Sequence, residues 1–98
     1  MIDFKENFTK RLKNNSQELE EYKKYVFEMF EKDQNKELLL EGLKTIALST
    51  QGISAAAKSS KLQRRSLYKI LTKDGNPTLN NFFMILKSLN LKLKIAAL

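Results

Sequence analysis

The 98 residues suffice for one domain with a modest core, and a composition that is 42% hydrophobic and 30% charged excludes wholesale disorder. Cysteine and histidine are absent, which excludes thiol chemistry and disulfide bonds and removes the commonest zinc ligands and the usual general base. The net charge of +7 favours polyanionic partners, and because no motif has catalytic, metal or cofactor spacing, we expect a binding protein that is not an enzyme.

The N-terminus does not resemble an export signal. Residues 1–6 carry charges where a secretory signal needs an apolar segment, and the longest strongly apolar run, 82–86, is too short to span a bilayer. We therefore expect a cytoplasmic protein that does not enter a membrane.

Three amphipathic helical segments are predicted in the first half of the chain, the first of them only a turn or two long. Phe4, Phe8 and Leu12 recur every four residues, residues 14–16 interrupt the pattern, and Ser16 is expected to cap the second helix. Gly42 lies inside the third helix at a cost of about 1 kcal/mol relative to Ala, and Gln51-Gly52 ends it. The apolar faces comprise Leu19, Tyr22, Val26, Met29 and Phe30 in the second helix, and Leu39, Leu43, Ile46, Ala47 and Thr50 in the third.

The second half is predicted to contain a short helix over 53–58, a turn over 59–62 and a helix over 63–72. Gly75 is expected to supply a left-handed cap and Pro77 to stop the chain, after which Thr78 caps a final helix. The inward residues of that helix are expected to be Leu79, Phe82, Phe83, Leu86 and Leu89. Residues 91–95 alternate apolar and cationic side chains, which predicts a short C-terminal β-strand.

Residues 53–71 have the pattern of a helix-turn-helix. Two short helices that cross at a large angle need a small residue at the contact, an apolar residue in the turn and an apolar underside on the second helix. Ala57, Leu62, Leu67 and Leu71 fit these positions, with Ile70 beside them on the underside. The second helix must then expose Arg64, Arg65, Tyr68 and Lys69, although an ordinary helical hairpin with a basic face fits the same pattern.

The charge is divided unequally along the chain. Residues 1–50 hold nine Lys/Arg against ten Asp/Glu, a balance of −1, whereas residues 51–98 hold nine Lys/Arg against one acid, Asp74, a balance of +8. Charge alone is equally compatible with a solvated basic face, but charge and motif together favour binding of double-stranded DNA. We therefore divide the single folding unit into an N-terminal helical part, 1–50, and a DNA-binding part, 51–98.

Several segments together resemble a known family. In the second half these are Gly52–Lys58, Leu62–Leu71, Asp74–Leu79 and Leu86–Leu93. The resemblance extends upstream to Arg11–Lys13, Tyr22 and Leu38–Ala47. They resemble the prophage-type addiction-module antidotes, which are HigA-like antitoxins with a Cro/repressor-type helix-turn-helix. The resemblance implies an all-α, five-helix-type, lambda-repressor-like domain with an N-terminal helical extension, to which we add the short C-terminal strand.

The resemblance also implies a function and partners. It implies repression of the protein's own operon and neutralisation of a small basic RelE-like toxin that cleaves messenger RNA. Two positions depart from the family pattern. Lys61 stands where Gly is usual in the tight turn, at a cost on the order of 1 kcal/mol if the left-handed backbone is kept. Gln63 stands where Ser commonly caps the recognition helix, and although Gln caps poorly it can pair with adenine.

Roles in DNA binding follow from residue chemistry. Gln63, Arg64, Arg65 and Lys69 are expected to read bases in the major groove, with Arg64 as the first choice because arginine pairs bidentately with guanine. The alternative is that both arginines contact only phosphates. The expected phosphate contacts are Lys58, Ser59, Lys61, Tyr68, Lys73 and Asn76, and Tyr68 has packing as its alternative.

One such module buries little surface, so we expect a homodimer on a palindromic operator. The dimer interface is expected to combine the last helix with residues 91–95. That segment is expected to pair either with the same segment of the second copy or with the N-terminal segment of its own chain. The toxin surface is expected in the first half, where acids such as Glu18, Glu20, Glu21 and Glu28 suit a basic ribonuclease, although helix capping and solubility also explain them.

Two further interpretations remain open. A stand-alone prophage-type repressor would bind an operator without any toxin partner. A protein-interaction module would use its basic face for an acidic partner or RNA, although RNA readers usually expose several aromatic side chains for stacking and only Tyr68 is a candidate here.

Overall fold

The helices of this chain account for all the regular structure that the computed structural model describes, which covers residues 4–72 and 74–98. Within these residues there are six helices, so the prediction of an all-α chain is confirmed. They are α1 (Phe4–Lys13), α2 (Ser16–Asp33), α3 (Lys36–Ser49), α4 (Gly52–Ser60), α5 (Arg64–Ile70) and α6 (Leu79–Ser88). None of them combines the length and the apolar character that crossing a bilayer requires.

The predicted C-terminal strand over 91–95 is wrong, because the described residues contain no strand. Alternation of apolar and cationic side chains gives a strand one apolar face and one polar face. A strand forms, however, only when its backbone pairs with another strand. Leu91 instead donates its N–H to the carbonyl of Leu86 at 2.8 Å and completes the end of α6. The residues that follow it are exposed.

Short polar side chains begin three of the helices. The side chain of Asn15 accepts the N–H of Glu18 at 3.1 Å, so Asn15 caps α2 and Ser16, the predicted cap, is already the first helical residue. Asn35 caps α3 in the same way, through the N–H of Leu38. Thr78 caps α6, as predicted.

The loop between α5 and α6 differs from its predicted form. Gly75 does not adopt a left-handed conformation, which among the described residues belongs to Gly52 and to the non-glycine residues Gln34, Lys61 and Asn90. The glycine is needed there for another reason, because a Cβ at position 75 would collide with the carbonyl oxygen of Ile70.

A single cluster of buried side chains runs through the chain, from Val26 in α2 to Leu89 after α6. Leu40, Leu43 and Ile46 of α3 are fully buried in it. Helices α1 and α2 pack on α3, and α4 packs on α3, α5 and α6.

The inward face of α6 is narrower than predicted. Ile85, Leu86 and Leu89 are buried, whereas Leu79 and Phe83 are exposed. The prediction that these last two face the core is therefore wrong, because α6 contacts the rest of the chain along one side only.

An exposed ion pair joins α1 to α2. The Arg11 guanidinium donates from Nε and Nη2 to the two carboxylate oxygens of Glu18 at 2.7 and 2.8 Å. This hydrogen-bonded pairing holds the pKa of Glu18 below its ordinary value and raises the pKa of Arg11. The stabilisation is therefore present above the ordinary glutamate pKa and is lost as the pH falls through the lowered one.

Gly42 allows α2 and α3 to approach closely. A Cβ at this position would lie 2.7 Å from Cγ1 and 2.8 Å from Cγ2 of Val26, a short, stiff side chain that cannot swing aside. The glycine that looked costly in the sequence is thus a packing requirement.

We predict that Gly42→Ala lowers the free energy of unfolding by about 1–3 kcal/mol through overpacking, although alanine is the better helix former. Denaturant unfolding followed by circular dichroism measures the change. In a Val26→Ala background the same substitution should become neutral or stabilising. An equal loss in both backgrounds would contradict the packing explanation.

Candidate nucleic-acid interface

A tight turn joins α4 to α5. Lys61 follows the last residue of α4 with a left-handed backbone (φ 61°) and donates its N–H to the carbonyl of Lys58 at 3.2 Å. Leu62 then donates its N–H to the carbonyl of Ala57 at 3.0 Å. These bonds satisfy the last carbonyls of α4 and turn Leu62 toward the core, where it is half-buried.

The underside of α5 is held in the core. Leu67 and the helix-terminal Leu71 are fully buried, and Ala57 of α4 is buried beside them. The hydroxyl of Ser60, also buried, donates to the carbonyl of Ala57 at 3.1 Å. The two helices and their turn therefore meet through small and apolar groups whose polar atoms are satisfied.

The outer face of α5 is cationic. Arg64, Arg65 and Lys69 are all exposed, and none of the ion pairs within 4–72 and 74–98 involves them. Arg65 and Lys69 are four residues apart and share one ridge of the helix, while Arg64 and Tyr68 share the adjacent ridge. We call these two ridges the α5 outer face.

Gln63 stands at the N-cap position of α5 with an extended backbone. Its side chain makes no capping hydrogen bond and is exposed. The amide is therefore available for contacts outside the chain, at the end of the helix where Arg64 begins.

Lys44 of α3 adds a cation that the sequence analysis missed. Its ammonium lies 4.4 Å from the centroid of the Tyr68 ring and donates to the Tyr68 hydroxyl at 3.4 Å. Tyr68 thus packs against a cation while remaining half-exposed. The two residues are 24 positions apart in the chain, and no local pattern connects them.

The remaining predicted phosphate contacts fall in different places. Lys58, Ser59 and Lys61 are exposed at the end of α4 and in the turn, next to the start of α5. Asn76 is exposed but lies on a separate groove beside Pro77 and α6. Lys73 lies outside the described residues.

No group of acidic side chains in the described part of the chain is arranged to hold a metal ion.

Together, the cations described above form an exposed cationic helix face on α5 with adjoining cations from α3, α4 and the turn. Phosphate groups and base edges are the chemical groups that such a surface suits.

Comparisons with known proteins point to one family. A family model described as "probable addiction module antidote protein" matches residues 5–97, nearly the whole chain. A protein of Haemophilus influenzae that carries only the name "uncharacterized protein" is 36% identical over 76 residues, which cover 78% of this chain and 76% of the relative. No solved structure matches the chain.

We predict that Lys61→Gly raises the free energy of unfolding by about 1 kcal/mol, because glycine adopts the left-handed backbone without a Cβ penalty. The matched control is Lys58→Gly, which removes the same charge from within α4 and should destabilise the chain by up to about 1 kcal/mol. Chemical denaturation measures both. Changes of the same sign in the two variants would show that charge, and not backbone conformation, decides stability at the turn.

Proposed function

The chain belongs to the family of probable addiction module antidote proteins, and from that premise we propose that it is the antitoxin of a type II toxin–antitoxin module. In this proposal it binds a palindromic operator as a homodimer, represses its own operon and neutralises a small basic RelE-like ribonuclease toxin by direct binding. It acts through binding and not through catalysis.

One observation carries the DNA-binding part of the proposal. Arg64, Arg65 and Lys69 are exposed on α5, whereas Leu67 within the helix and Leu71 at its C-cap are fully buried. A helix with its side chains is about 10–12 Å across, which suits a major groove about 12 Å wide, and α5 is free to enter such a groove by its exposed side. The N-terminal residues of a recognition helix are those that contact base edges. We therefore assign base reading to Gln63, Arg64, Arg65 and Lys69.

The surrounding polar groups are assigned to the DNA backbone. Lys58, Ser59 and Lys61 adjoin the start of α5, and Tyr68 with Lys44 borders its other ridge. The cation of Lys44 extends the basic surface beyond the second half of the chain. Lys73 and Asn76 keep their assignment as phosphate contacts from the sequence alone.

A homodimer supplies the second half-site contact that a palindrome requires. Leu79 and Phe83 are four residues apart on α6, share one side of the helix and are exposed. We propose that this apolar side of α6 forms the dimer interface between two copies of the chain.

The toxin surface is assigned to the first three helices. Helix α2 carries six acidic side chains against three lysines, and the first half as a whole is nearly neutral. A basic ribonuclease is attracted to that half and repelled by the cationic half, which leaves the α5 outer face for DNA.

We predict that Arg64→Ala lowers affinity for the operator by about 1–3 kcal/mol and relaxes the preference at one base pair, because a bidentate contact to guanine is lost. Fluorescence anisotropy with duplexes from the region upstream of the gene, each altered at one base pair, measures this. Lys24→Ala, which removes an exposed cation from α2, should leave the preference unchanged. An equal loss on every duplex would reduce Arg64 to a phosphate contact.

We predict that a small basic reading frame lies directly beside the gene and that its product inhibits growth when it is expressed alone. Co-expression with this chain should restore growth and yield a stable complex of the two proteins. The Arg64→Ala variant should rescue growth as well as the unaltered chain does, because its change lies on the DNA surface. If the neighbouring product is harmless, or does not bind, while the chain still binds its operator, the protein is a stand-alone repressor.

A further inference from the structure

An open groove lies over the seam between α2 and α3, with a volume of about 480 Å³. Val26 and Gly42 form its floor, where the two helices approach most closely. Tyr25 stands on the α2 side and Leu38 on the α3 side, and Phe8 of α1 closes one end. We call this the α1–α3 groove.

The α1–α3 groove exposes large apolar side chains. Tyr25 is 56% exposed, Leu38 is 54% exposed and Leu48 is 39% exposed, although all three line one concavity. Isolated apolar residues on a surface are ordinary, but several together in one groove mark a site for another molecule.

The walls of the groove are structurally fixed. The ring of Phe8 meets the ring of Tyr22 edge to face, with centroids 5.2 Å apart, and the Arg11–Glu18 pair holds α1 beside α2. The groove is therefore preformed, which lowers the entropic cost of binding.

Glutamates lie along the long sides of the groove. Glu41 belongs to its lining. Glu21 and Glu28 are exposed one helical turn before and after Tyr25, and Glu37 is exposed next to Leu38. The cations are Lys5 on α1 and Lys44, which contacts Tyr68, both in the lining, and Lys32, which is exposed one helical turn beyond Glu28. The groove and its edges thus carry four glutamates against three lysines, a balance of −1, whereas the chain as a whole has a net charge of +7. This part of the surface therefore suits a cationic partner better than the rest of the chain does.

We propose that the α1–α3 groove binds a cationic amphipathic helix of the partner protein. The apolar stripe of that helix packs on Tyr25, Leu38 and Leu48, and its flanking lysine or arginine side chains pair with the glutamates on the two sides. The identification of this partner as the toxin rests on the proposed function, whereas the chemistry of the occupant rests on the groove itself.

Two synthetic peptides test the chemistry of the groove. Each is an amphipathic helix of about four turns, roughly 14 residues, with the same leucine stripe. All the remaining positions are lysine in one peptide and glutamate in the other. Fluorescence anisotropy with the full chain should give a dissociation constant at least about tenfold lower for the lysine peptide, a difference of 1.4 kcal/mol. Without an acidic groove, the net charge of the chain would favour the glutamate peptide, so equal or reversed affinities would overturn the proposal.

Matched variants locate the binding site. Leu38→Ser should weaken binding of the lysine peptide about tenfold, whereas Leu98→Ser, at an exposed leucine beyond α6, should leave it unchanged. Glu41→Lys should weaken it strongly, whereas Glu31→Lys, on the side of α2 away from the groove lining, should have a smaller effect. Because all four side chains are exposed, the circular dichroism of each variant should match that of the unaltered chain. Loss of binding in the Leu98 variant, or no loss in the Leu38 variant, would place the site elsewhere.

The same variants separate this inference from the proposed function. Leu38→Ser should weaken the complex with the neighbouring gene's product at least about tenfold and leave operator affinity unchanged. If that variant binds the product as tightly as the unaltered chain does and neutralises it, the antitoxin function stands and the groove assignment is wrong. If the chain selects the lysine peptide through Leu38 but no neighbouring product binds, the groove assignment stands and the antitoxin function fails.

Discussion

The burial of Leu67 and Leu71 determines the orientation of every other side chain on α5. A helix of seven residues is too short to persist alone in water, so α5 exists because its underside is packed in the core. The two leucines are fully buried, and the left-handed turn at Lys61 brings the chain from the end of α4 to that position. The outward placement of Arg64, Arg65 and Lys69 is a consequence of this packing.

A different packing constraint forms a second surface on the first three helices. Gly42 lets α3 approach Val26 of α2 closely, and the ion pair between Arg11 and Glu18 joins α1 to the N-terminal end of α2. The result is an apolar groove with glutamates along its sides. One small core thus supports a cationic helix face and an apolar groove, and Lys44 borders both, since it lines the groove and contacts Tyr68.

Local signals in the sequence were sufficient to predict the helices and to predict which side of α5 is buried and which is exposed. Periodic apolar residues and capping side chains act over a few positions, so errors there were small, such as the cap at Asn15 instead of Ser16. The C-terminal strand failed because strand formation depends on a distant partner, which an alternating pattern cannot supply. Leu79 and Phe83 were misplaced because a helical period does not reveal how much of a helix its neighbours cover. The contact between Lys44 and Tyr68 and the exposed groove around Tyr25 and Leu38 depend on how α3 packs against α2 and α5, which no single segment encodes.

The most direct test is a two-dimensional 1H–15N NMR titration of the full chain with a duplex from the region upstream of its gene. The salt should be physiological, about 0.15 M, because non-specific contacts with phosphates weaken steeply with salt. If the α5 outer face reads DNA, the largest amide shifts will fall between Lys58 and Lys69, and the amides that line the α1–α3 groove will move little. Shifts spread evenly over all the basic residues, or centred on the first three helices, would contradict the account.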